Sequence, residues 1–111
     1  MAEPVVTKII CTVLDWTIRQ PVAINLPIDS KILCVLYHHN YDHLYCLSSC
    51  SKEKETRYFI VKQAKHTMEP IQGKEYKYIG STVDEDSVSW HIFELVNTEV
   101  HPTETKRKGK H

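Results

Sequence analysis

An all-β domain is what this sequence encodes, on three grounds. Short segments alternate apolar and polar residues, most plainly in the closing run Ser87-Val88-Ser89-Trp90-His91-Ile92-Phe93-Glu94-Leu95. Turn formers such as Pro27, Asn40, Asp42 and the acidic run Asp84-Glu85-Asp86 fall between those segments. No stretch carries the apolar repeat of an amphipathic helix. The expected architecture is a small single-domain antiparallel sandwich or partly open barrel of about six to seven strands.

Each segment has its own reason to be a strand. Val5 to Leu14 has β-branched residues on both faces and ends at the polar bend of Asp15. Arg19 to Leu26 places Val22, Ile24 and Leu26 on one face, and Pro27 stops it because proline cannot donate to a ladder. Lys31 to Tyr37 is apolar at nearly every position, as expected of a strand covered on both sides or one that meets a partner chain. His38 to His43 reads as a hairpin loop, with Asn40 and Asp42 as its turn residues, and Leu44 to Leu47 as the returning strand. Thr56 to Gln63 is again apolar on both faces, Lys65 to Lys74 has neither period, and Glu75 to Val83 is the sixth strand. In the last strand Phe93 and Leu95 break the one-sided pattern of Val88, Trp90 and Ile92, which suggests a bulge or a two-sided strand.

With 111 residues the chain fits one domain. Fourteen basic and fourteen acidic side chains cancel, which disfavours nucleic acid as a partner. Residues 98–111 hold Lys106, Arg107, Lys108 and Lys110 and no hydrophobic period, so a disordered basic tail is expected after an all-β domain at 1–97. Neither a secretory leader nor an apolar span of membrane length is readable, so the expectation is a cytoplasmic protein with reduced cysteines.

The densest set of reactive side chains is Tyr37 through Cys50, with His38, His39, His43, Cys46 and Cys50. Cys46 and Cys50 would stand about 13 Å apart on a strand, too far for one zinc ion, so no metal and no cofactor is expected. His91 has no partner that would make it a general base, and Asp84-Glu85-Asp86 lacks the glycine and distal glutamate of a calcium loop. Gly73, Gly80 and Gly109 are too scattered to cradle phosphate. No catalytic set is readable, and a non-enzymatic binding protein follows. Its candidate contacts are Tyr37, His38, His39, Tyr41 and His43 around the hairpin, with Trp90 and His91 on the closing strand. The alternative is a module sequestering a small nucleotide between protomers of a homo-oligomer, with Arg57 or Lys62 on phosphate and Tyr58 under the base.

Several runs, taken in order, resemble a small family of uncharacterised proteins encoded by bacteriophages and prophages. They are Leu26-Pro27-x-x-Ser30-Lys31-Ile32-Leu33-Cys34-Val35, Leu44-Tyr45-Cys46-Leu47, Glu55-Thr56-Arg57-Tyr58-Phe59-Ile60, Tyr78-Ile79-Gly80-Ser81 and Trp90-His91-Ile92-Phe93-Glu94. The chain departs from that pattern at Tyr45, where the family tends to have tryptophan, and at Lys65 to Pro70. The resemblance implies a phage accessory protein in the host cytoplasm. The leading expectation is an inhibitor of a host defence protein, with a virion or assembly component as a further alternative.

Overall fold

The computed structural model describes residues 7–49 and 52–98 of the chain. Seven strands follow one another with no helix among the described residues: β1 (Lys8–Leu14), β2 (Val22–Pro27), β3 (Lys31–His38), β4 (Tyr41–Ser48), β5 (Lys54–Gln63), β6 (Lys74–Val83) and β7 (Ser89–Asn97). They form two antiparallel sheets, one ordered β1-β4-β3 and the other β2-β5-β7-β6. This is the all-β sandwich that the alternation predicts.

The core lies between the sheets. From the first sheet come Leu14, Val35, Leu44 and Cys46; from the second, Val22, Ile24, Leu26, Phe59, Val61 and Ile92. Burying each of the large side chains is worth about 1.5–3 kcal/mol, which makes this the main cohesive term. The edges β3 and β6 lie side by side, and a Cβ at Gly80 would stand 3.5 Å from Val35 Cγ1. The sandwich is therefore closed along that corner.

Several local expectations change. The β3–β4 loop contracts to His39 and Asn40, whose φ values of 52° and 70° suit the left-handed positions of a two-residue hairpin turn. Asp42 is consequently not a turn residue; it pairs with Leu14 and Tyr37 inside the first sheet and its side chain points into the core. The irregularities sit in β3, between Ile32 and Cys34, and in β6, between Tyr78 and Gly80. In β7 the alternation is unbroken, with Ile92 and Glu94 inward and Phe93 and Leu95 outward, so the strand is two-sided. The described residues extend one past the expected boundary, where Thr98 N–H donates to the Gly73 carbonyl at 2.9 Å. The rest of the expected basic tail lies outside the described residues.

Candidate functional site

The outer face of the β1-β4-β3 sheet is nearly as apolar as its inner face. Its cross-strand rows are Ile9–Leu47–Lys31, Cys11–Tyr45–Cys34 and Val13–His43–Leu36, followed by Tyr41 beside His38. Ile9 is 65% exposed and Leu36 52%, and Val13, Leu33 and Tyr41 are exposed as well. Lys31, at one end, is the single Lys, Arg, Asp or Glu in those rows. β3, apolar at both faces in the sequence, thus has one face in the core and the other in solvent.

Histidines close the opposite end of this face. The rings of His38 and His43 stack with centroids 3.7 Å apart, and His39 stands edge-on to His38 at 5.2 Å. His38 Nε2 lies 3.0 Å from the Tyr45 hydroxyl, and the His43 Nδ1–H donates to the Tyr41 carbonyl at 3.0 Å. Partial burial, then the proximity of His43 and His39, holds His38 below the ordinary histidine range. The predicted contacts His38, His39, Tyr41 and His43 are therefore brought together.

The three remaining members of that expected surface diverge: Tyr37 lies on the inward row of β3, opposite Asp42, and Trp90 and His91 lie on the closing strand. His91 faces outward from the other sheet, where its Nδ1 lies 3.1 Å from the Tyr78 hydroxyl. Trp90 is not an open surface residue. It points inward and meets Trp16, ring centroids 4.5 Å apart and tilted by 40°.

Those two indoles wall a cavity of about 100 Å³ at the hairpin end of the sandwich, together with Tyr37, Tyr41, Asp42, Asp84 and Asp15. Each indole N–H has a carboxylate of its own: Trp16 Nε1–H donates to Asp42 Oδ2 at 3.0 Å, and Trp90 Nε1–H to Asp84 Oδ2 at 2.9 Å. Asp84 Oδ1 also accepts the backbone N–H groups of Asp86 and Val88, both at 2.9 Å. The Trp90 bond first, and then the Val88 N–H, hold the Asp84 carboxyl below the usual aspartate range. Asp42 is 3% exposed, and its Oδ1 is buried with no hydrogen-bond partner. Tyr37 donates to Glu85 at 3.2 Å, and burial, then that bond and the charges of Glu85, Asp84 and Asp42, push its phenol upward. No lysine or arginine lines this cavity.

Trp16, Asp42 and Asp84 were not among the sequence-predicted contacts. A tryptophan in a polar bend needs an acceptor for its N–H, and that is the one signal that could have paired Trp16 with an acid.

Arg57, Tyr58 and Lys62 do not converge. Arg57 points inward, and its Nε and Nη2 donate to the two oxygens of Glu94 at 2.6 and 2.8 Å while Nη1 donates to the Ser30 carbonyl at 2.5 Å. Tyr58 and Lys62 point outward from the same strand, opposite Leu95 and His91. The cations that share space with Arg57 are instead Lys31 and Lys77, around a cavity of about 350 Å³.

The His/Cys run is likewise divided. Cys46 is buried in the core, where desolvation pushes its thiol upward, whereas His38 and His43 lie on the outer face. Cys50 lies outside the described residues. Among the described residues no three His, Cys, Asp or Glu side chains are grouped to hold a metal ion. No helix among them is long and apolar enough to cross a membrane.

No curated protein and no solved structure matches this chain. A family model does, a domain of unknown function designated DUF7352, over residues 9–103. The chain belongs to that family.

Proposed function

We propose that this member of the family works by binding rather than by catalysis, as a phage or prophage accessory protein that engages and inhibits a host protein. The observation that carries the reading is the exposed apolar outer face of the β1-β4-β3 sheet. Soluble monomers rarely leave a contiguous apolar patch uncovered, and such patches commonly mark interaction sites. The occupant is a protein whose contact surface is apolar with basic residues at one margin. Its basic margin would meet the end of the face bordered by Asp15, Asp84 and Glu85. His38, His43 and Tyr41 lie between that acidic end and the aliphatic rows, so they would sit inside the contact.

Tagged protein recovered from infected host cells, with small molecules and proteins both identified, tests this. Val13→Lys and Leu36→Lys place charges on the outer face without entering the core, and Ala23→Lys, exposed on the other sheet, is the control. The reading predicts one stoichiometric host protein with wild type and Ala23→Lys, lost with both face variants, and inhibited when the purified pair is mixed. A partner retained by Val13→Lys and Leu36→Lys removes the face from consideration. A wild-type homodimer that both variants dissociate, with no host protein bound, makes a second copy the occupant and overturns the inhibitor reading.

A second reading, sequestration of a small anion, is favoured by one observation. Lys31 and Lys77 share the 350 Å³ cavity with Arg57, and neither lysine has an ion-pair partner among the described residues. Native mass spectrometry of protein expressed in host cells would find a bound nucleotide-sized anion, lost in Lys77→Ala, if that reading holds.

A further inference from the structure

From the Trp16–Trp90 cavity we infer a binding site for an organic cation of the alkylammonium or guanidinium type. Aromatic side chains supply three of its walls, from Trp16, Trp90 and Tyr37, and the negative faces of such rings attract cations. Asp42 and Asp84 supply the charge. Trp16 and Trp90 each spend their N–H on one of those carboxylates, which fixes both acids and orients both rings.

The independent sign of a missing partner is Asp42 Oδ1. It belongs to a carboxylate 3% exposed, receives no hydrogen bond, and has no lysine or arginine near it in the cavity lining. A buried carboxylate oxygen left unpaired is costly, and a cation lodged in the cavity beside this carboxylate would offset its charge. The volume of about 100 Å³ equals roughly three water molecules at about 30 Å³ each, which suits one ammonium or guanidinium head and excludes a nucleoside. Metal is the poorer match, because no group of three ligating side chains is present among the described residues. Aromatic walls with one or two carboxylates are the arrangement that selects an organic cation over a hydrated inorganic one. The site stands whether or not the neighbouring sheet face docks a partner.

Its source would be either a Lys or Arg side chain of a bound protein or a free amine, and both can be tested on the intact chain. The two tryptophans are the only ones in the sequence, so their indole N–H resonances report the cavity alone. The probes are butylammonium and methylguanidinium chlorides, and capped tripeptides carrying Lys or Arg between glycines, each against sodium chloride at equal ionic strength. The expected result is a saturable shift of both indole resonances with the organic cations and none with sodium. Saturation by peptides alone assigns a partner's side chain, saturation by the free ions alone a free amine, and either supports the site. Asp42→Asn should weaken binding about tenfold, which corresponds to about 1.4 kcal/mol. Tyr37→Leu, at a half-buried position on the cavity wall and outside the hydrophobic core, should weaken it in the same direction should Asp42→Asn fail to fold. Absence of saturation with every organic probe, or equal shifts with sodium, would overturn the assignment, as would unchanged affinity in both variants.

Discussion

Glu94 and Asp42 are carboxylates inside the same sandwich, 4% and 3% exposed, yet their surroundings are opposite. Glu94 faces the Arg57 fork, both oxygens accept, and Arg57 passes its remaining contact to the Ser30 carbonyl. That ion pair ties β5 to β7 and both to the β2–β3 connection. Asp42 accepts one indole N–H and leaves its other oxygen with nothing. The first arrangement is complete without any visitor. The second breaks the rule that buried charge is paired, and such breaks concentrate where a protein does something other than stay folded.

The contrast is broken most severely at Glu94. Glu94→Gln leaves the Arg57 guanidinium, 16% exposed, without its counter-charge. Removing one partner of a buried pair costs about 3–5 kcal/mol, so the urea midpoint should fall sharply at unchanged slope. The double variant Arg57→Met, Glu94→Leu should recover most of that loss, because apolar residues of similar volume replace buried pairs well. A single-variant loss under about 1 kcal/mol would mean that the pair is not what holds this end together.

At Asp42 the same chemistry should give the reverse sign. Asp42→Asn keeps an oxygen for the Trp16 N–H and removes the uncompensated charge, so stability should be unchanged or rise by about 1 kcal/mol. A loss as large as that of Glu94→Gln would show that Asp42 has a structural counter-charge, and the reading of an incomplete site would fall with it.

Legibility follows the same division. The sheet rested on alternation, which the chain displays in Val22, Ile24 and Leu26 and again in Trp90, Ile92 and Glu94. It therefore read correctly from local pattern. The hairpin loop was readable as a loop but too long, because Asp42 looks like a turn former to any local rule and only the pairing Leu14↔Asp42 makes it a strand residue. Arg57 looked free for phosphate because its partner is 37 positions away. Trp16 and Asp42 are separated by 26 positions and belong to different strands or bends. Periodicity assigns faces, and it carries no information on which distant side chain a given face will meet.

Asp84 separates the two tryptophans by pH. Its folded-state carboxyl lies below the ordinary value of 3.8, held there by Trp90 and the Val88 N–H. A depressed carboxyl stabilises the fold at pH above the unfolded value, and that contribution is lost as pH falls through the lower, folded-state value. Stability measured by urea midpoint should therefore decline below about pH 4 in wild type, and Asp84→Asn should flatten that part of the profile. A wild-type profile with the same acid limb as the variant would detach Asp84 from the stability of this end.

The smallest effect concerns the histidine stack at the margin of the apolar face. Burial and the neighbouring His43 and His39 favour the neutral ring of His38, so its titration midpoint should lie below 6.5. Folding then releases protons near that pH, which makes the stack fully stabilising above 6.5 and progressively less so as pH falls below it. Proton-detected titration of the ring resonances measures this directly. His43→Gln should move the His38 midpoint upward by removing the stacked, chargeable neighbour 3.7 Å away while leaving the Tyr45 contact in place. If the midpoint does not move, desolvation alone sets it, and the face that would meet a partner is the dominant influence on this ring even before any partner arrives.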